Sequence, residues 1–124
     1  LVPEEIGIFV RSDNEIPRAI SAIEATDGKY KILNENISTT VGYISVCNMH
    51  LAKGLEFRAV AVMACDDEVI PSEERIEQVT DESDLDDVYN TERHLLYVAC
   101  TRARDRLLVT SVEPASEFLD DLRM

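Results

Sequence analysis

The sequence predicts an α/β domain with a mostly parallel sheet covered by helices on both faces, and three observations carry that prediction. Apolar residues run consecutively rather than alternately at Ile6 to Val10, Tyr43 to Met49 and Ala59 to Cys65, as in strands buried on both faces. Helical patterns fall between or after these runs, at Glu15 to Ala25 and at Asn90 to Arg104, so that strand and helix alternate as parallel sheets require. The chain has 124 residues and is 45% hydrophobic, enough for one compact core.

Each element has its own local signal. Ile6 to Val10 reads as a first strand, and Glu15 to Ala25 as an amphipathic helix with Pro17 in its first turn and Asp27-Gly28 as its stop. Tyr30 to Leu33 reads as a short strand, followed by the two long strands from Tyr43 and Ala59. Asn90 or Thr91 is positioned to cap the next helix, with Glu92 favourable against its dipole and Leu95, Leu96, Ala99 and Ala103 at helical spacing. A last strand from Arg106 to Ser111 and a helical turn or two around Phe118 and Leu122, beyond Pro114, complete the chain.

Composition limits the function classes. No stretch is long and apolar enough to span a membrane, no signal peptide or Gly-rich Walker loop is present, and the first residue is Leu1 rather than Met, which reads as a piece of a larger protein. Cys47, Cys65 and Cys100 lie inside apolar runs without metal or disulfide spacing, as core thiols of a reducing cytoplasm would, and no metal site is expected. The formal net charge of −13 opposes strong DNA binding by this chain alone. Much of that charge lies between Asp66 and Asp87, which reads as a solvated loop or exposed helix face, the alternative being a docking surface for a basic partner protein.

Two stretches carry chemistry. The polar segment His50 to Phe57 lies between two apolar strands, at the carboxyl end of the first, where open α/β sheets hold their ligands. Lys53 and Gly54 put a cation beside a backbone free to take unusual dihedrals, and Glu56 offers a carboxylate suited to a ribose hydroxyl. Arg102, at the far end of the helix from Asn90, is a guanidinium held with little freedom, as stabilising a transferred phosphoryl group demands. Its plainer alternative is an ion pair with Asp105 or Glu92.

Asn48 to Phe57 and Thr91 to Ala103 together resemble the C-terminal motor motifs of UvrD/Rep-type superfamily 1 DNA helicases, approximately Thr-x-His-x-Ala/Ser-Lys-Gly-Leu-Glu-Phe and Glu-Glu-Arg-Arg-Leu-x-Tyr-Val-Ala-x-Thr-Arg-Ala. Phe9 to Asn14 is similar to that family's Tyr-Arg-x-Asn segment, which makes Arg11 a nucleotide-contact candidate. Asn48, Thr91 and His94 depart from the pattern, standing where Thr, Glu and a second Arg are usual. Only Ser21 to Gly42 is available where larger members carry an accessory domain, so the chain resembles a short-insert member.

The resemblance implies that residues 1–124 form the second RecA-like domain of a helicase motor, lacking its own Walker A loop. ATP and Mg2+ would be held mainly by the missing N-terminal RecA-like domain. Arg102 would act as an arginine finger, Lys53, Gly54, Glu56 and Arg11 would serve the nucleotide, and His50 and Asn48 would contact single-stranded DNA. A helicase-derived protein-interaction module with little or no unwinding activity is the competing expectation. Tyr97 is expected to pack against the sheet, and His94 receives no role.

Overall fold

The computed structural model describes residues 2–34 and 38–122; Leu1, the middle of the Ser21 to Gly42 connection at residues 35–37, and residues 123–124 lie outside it. Five strands form one sheet: β1 (Ile6–Val10), β2 (Tyr30–Ile32), β3 (Ile44–Asn48), β4 (Phe57–Val62) and β5 (Ala103–Val109). Their order is β2-β3-β1-β4-β5, and every pairing is parallel. The strand order places β1 at the centre, where Phe9 and Val10 are fully buried. Gly7 is required in that strand because a Cβ there would lie 2.4 Å from the Phe57 ring.

Helix α1 (Ile16–Glu24) covers one face. Its Ile16, Ala19 and Ile23, at helical spacing, pack with Ile8, Val10 and Val46. It ends where Asp27 takes a positive φ of 57°. The opposite face carries the larger core, in which Leu96, Ala99 and Cys100 meet Phe9, Cys47, Val60 and Val62. Each fully buried aliphatic side chain in these two layers contributes roughly 1.5 to 3 kcal/mol. The expected α/β architecture with both faces covered is therefore present, and Tyr97 packs against the core.

The largest differences from the sequence reading are at the two ends of the long helix, while β4 and β5 each begin and end two or three residues earlier than expected. The long helix α3 spans Glu82–Cys100 and begins eight residues before Asn90. Its cap is Asp81, whose side chain accepts from the Asp84 N–H at 2.9 Å. The polar first turns hid this start from a search for apolar periodicity. The helix also stops earlier, so Arg102 stands two residues past its end, between Thr101 and the first residue of β5. A strand then takes over because Phe57 N–H donates to the Arg102 carbonyl at 2.9 Å, which starts the β4–β5 pairing.

β5 departs most from the buried-strand pattern. It pairs only with β4 and leaves Leu107 and Leu108 exposed. A short helix α2 (Glu73–Glu77) precedes α3 and packs beside it.

Candidate functional site

The loop between β3 and β4 is built by alternating anchors and exposed groups. Met49, Ala52, Leu55 and Phe57 are buried, and they leave His50, Lys53, Gly54 and Glu56 exposed on the outside. Gly54 has a φ of +88°, which explains glycine at the tip of the turn. Asn48 caps the turn Met49–Leu51: its side-chain oxygen accepts from the His50 N–H at 3.0 Å, while its amide nitrogen donates to Asp13 at 2.9 Å. Glu56 pairs with Arg104 at 3.2 Å, with both side chains more than half exposed.

Arg102 is held from three sides by uncharged acceptors. Its Nε donates to the Val98 carbonyl at 3.1 Å, one terminal nitrogen to the Leu55 carbonyl at 3.5 Å, and the other to the Thr101 hydroxyl at 3.1 Å. The Val98 carbonyl, at the helix end, also accepts from the Thr101 hydroxyl at 2.9 Å. No carboxylate among the described residues lies within ion-pair distance of Arg102; Asp105 pairs with Arg58 instead, and Glu92 with Arg11 and Arg75. The guanidinium is thus oriented but not neutralised.

It borders a cleft of about 530 Å³ lined by Met49, His50, Lys53, His94, Leu95, Val98 and Arg102. No carboxylate among the described residues lines this cleft, in a chain whose net charge is −13. Two cations and two imidazoles around a partly apolar floor suit an anionic ligand. They do not suit a magnesium ion, which takes oxygen ligands. Among the candidates taken from the sequence, His50, Lys53 and Arg102 meet here. Gly54, Glu56, Asn48 and Arg11 do not line the cleft.

Arg11 is engaged in a different way from the others. It is buried, its Nε and Nη2 donate to the two oxygens of Glu92 at 2.8 and 2.7 Å, and its Nη1 lies 3.2 Å from Nε2 of His50. Glu92 is fully buried and also accepts from the Ser72 N–H at 2.6 Å and from Arg75 at 2.8 Å. Burial pushes its carboxyl up, but Arg11, the Ser72 N–H and Arg75 outweigh this and hold it below its ordinary 4.5.

Glu92 is the residue that sequence reasoning misjudged. Assigned to a first turn, it sits instead in the third turn of α3. Its position was legible all the same, because Glu92, Leu96 and Ala99 share one helical stripe, and an acid on an apolar stripe needs buried partners.

The acidic stretch also divides. Asp66 receives Arg18 from α1 and the Val112 N–H at 2.7 Å; burial opposes its charge, and these donors hold its carboxyl below 3.8. The later carboxylates from Asp67 to Asp87 are exposed, as a solvated face requires. Burial pushes the thiols of Cys47 and Cys65 up to about 12 and that of Cys100 to about 11, which suits inert core positions. Among the described residues no helix is long and apolar enough to cross a membrane, and no cluster of His, Cys, Asp or Glu could hold a metal ion.

Known proteins resemble this chain in sequence and fold. The family model for the UvrD-like helicase C-terminal domain matches residues 19–114. The ATP-dependent DNA helicase UvrD1 of Mycobacterium tuberculosis is 38% identical over 92 residues, covering 65% of this chain and 11% of that protein. A probable DNA helicase II homolog of Rickettsia conorii is 32% identical over 91 residues, covering 73% of this chain and 13% of that protein. The chain therefore spans only a small part of the length of these relatives. A solved C-terminal domain of a possible DNA helicase from Lactobacillus plantarum superposes with a TM-score of 0.68 at 26% identity, covering 96% of this chain and 63% of that one.

Proposed function

Because the chain belongs to the UvrD-like helicase C-terminal domain family, we propose that it is the second RecA-like motor domain of an ATP-dependent DNA helicase or translocase, closing over ATP held on an N-terminal partner domain. The observation that carries this reading is Arg102, anchored by neutral acceptors at the edge of a cleft without carboxylates. An arginine finger needs that state, since a guanidinium already paired with a carboxylate must lose its partner before it can meet a phosphoryl group.

In this mechanism Arg102 meets the charge that develops on the transferred γ-phosphoryl group. Lys53 adds a second cation at the same cleft, and Gly54 permits the turn that carries it. Glu56 reaches the ribose by exchanging its exposed partner Arg104, an inexpensive step for a solvated pair. His50 contacts the DNA strand. Asn48 shapes the turn that presents His50, and its own amide reaches DNA only by leaving Asp13. Magnesium belongs to the partner domain, because the side chains gathered here are two cations and two imidazoles without a carboxylate oxygen among them. Closure on ATP and reopening after hydrolysis then shift the domain along the strand.

In a full-length protein that carries this domain, Arg102→Ala should lower DNA-stimulated ATP turnover by about 10³ to 10⁵, with nucleotide affinity changed far less, because the contact strengthens in the transition state. Unchanged turnover rejects the finger. The chain by itself should hydrolyse no ATP and bind DNA weakly, with steep loss on adding salt. A second reading, an interaction module for a basic protein, draws on the exposed carboxylates between Asp67 and Asp87. It predicts a partner complex that survives Arg102→Ala and dissociates with salt.

A further inference from the structure

The Arg11 guanidinium connects two parts of the site that the reading above treats separately. Arginine donates through five N–H groups and accepts nothing. A hydrogen bond from Arg11 Nη1 to His50 must therefore end on a ring nitrogen carrying a free lone pair, and the nitrogen 3.2 Å away is Nε2. In an uncharged imidazole the proton then sits on Nδ1.

The direction of Nη1 is itself imposed. The guanidinium is planar, and Glu92 grips its Nε and Nη2 together at 2.8 and 2.7 Å, which fixes both the plane and the edge that remains. Glu92 in turn is fixed by the Ser72 N–H and Arg75, so its two oxygens receive four donors inside the protein. On the other side, the His50 backbone is tied to Asn48. His50 thus has a fixed backbone and a ring nitrogen held from behind, while its side chain lines the cleft with Lys53, His94 and Arg102.

We propose that Glu92 and Arg11 are positioning residues for His50, fixing its uncharged ring as the Nδ1–H tautomer so that this N–H is a directed donor to a phosphate oxygen in the cleft. The use of that donor rests on the phosphate-binding reading given above; the tautomer does not. The arrangement also assigns Arg11 an orienting task, because its Nε and Nη2 are occupied by Glu92.

The chain contains only two histidines, so ring nitrogen NMR resolves them directly, with His94 as the internal control. In the chain with labelled histidines at about pH 8, where a free imidazole is uncharged, His50 should show a protonated Nδ1 and a bare Nε2. Arg11→Lys keeps the positive charge but offers a single nitrogen, which cannot span Glu92 and His50 together. It should shift the His50 tautomer ratio by about tenfold toward Nε2–H, the size of a lost hydrogen bond to a charged donor, with His94 unchanged.

A protonated Nε2 on His50 in the unsubstituted chain overturns the proposal, and that spectrum needs no variant to fold. An unchanged ratio in a folded Arg11→Lys chain overturns it too. Oligothymidylate and tripolyphosphate, added separately, distinguish a nucleic-acid phosphate from a nucleotide one by which of them moves the Nδ1 signal, and silence with both overturns the donor role. Loss of the finger reading, by contrast, appears as normal turnover in Arg102→Ala with the His50 tautomer intact.

Discussion

Arg11 with Glu92 and Arg104 with Glu56 are both arginine–glutamate pairs beside one sheet, the first just past the carboxyl end of β1 and the second at the amino ends of β4 and β5, and they live in opposite surroundings. The first pair is closed, with side chains 9% and 0% exposed and both carboxylate oxygens saturated. The second is open, with side chains 54% and 63% exposed and a single contact of 3.2 Å. A buried pair cannot exchange partners without stranding a charge, so it serves to orient whatever touches it. A solvated pair exchanges with water at little cost, so its members remain available to a ligand. Arg102 lies between these extremes, oriented by carbonyls and neutralised by nothing among the described residues.

The largest effect should come from opening the closed pair. Glu92→Ala leaves Arg11 buried without its partner and should destabilise the fold by about 3 to 5 kcal/mol, read as a large fall in the denaturant midpoint. A loss below about 1 kcal/mol would mean that water reaches the guanidinium and that the two pairs differ less than their burial suggests.

Acid should separate the pairs next. Glu92 and Asp66 have folded values below their ordinary 4.5 and 3.8, so their contribution is fully present above those ordinary values and is lost as pH falls through the lowered folded ones. Urea midpoints measured from about pH 6 to about pH 3 should therefore fall, and Glu92→Gln should remove the Glu92 part of that dependence. A pH slope unchanged in Glu92→Gln would reject the attribution.

The smallest effect belongs to the open pair. Arg104→Ala should change stability by no more than about 0.5 kcal/mol, and salt should erase even that. A double-mutant cycle should find coupling at Arg11 and Glu92 several times that at Arg104 and Glu56; comparable couplings would break the comparison outright.

Much of the fold was legible because its signals are local. Consecutive apolar residues marked β1, β3 and β4, Pro17 and Asp27 bracketed α1, and the polar residues from His50 to Glu56 marked the connection between β3 and β4. The beginning of α3 was not, since its first turns are polar and its cap, Asp81, resembles its acidic neighbours. Nor was the end: helix pattern continues through Ala103, and only the pairing of Phe57 with Arg102 across the sheet turns the chain into a strand there.

By itself the sequence determined the alternation of strand and helix and the family through two motifs in order. Tertiary structure alone decided which of those residues share a cleft, which guanidinium is left without a carboxylate, and that Glu92 reaches across 81 positions to Arg11. The physical reason is range. Backbone preference and apolar periodicity act over a few neighbouring residues, whereas the availability of a charge depends on whatever the completed fold sets beside it.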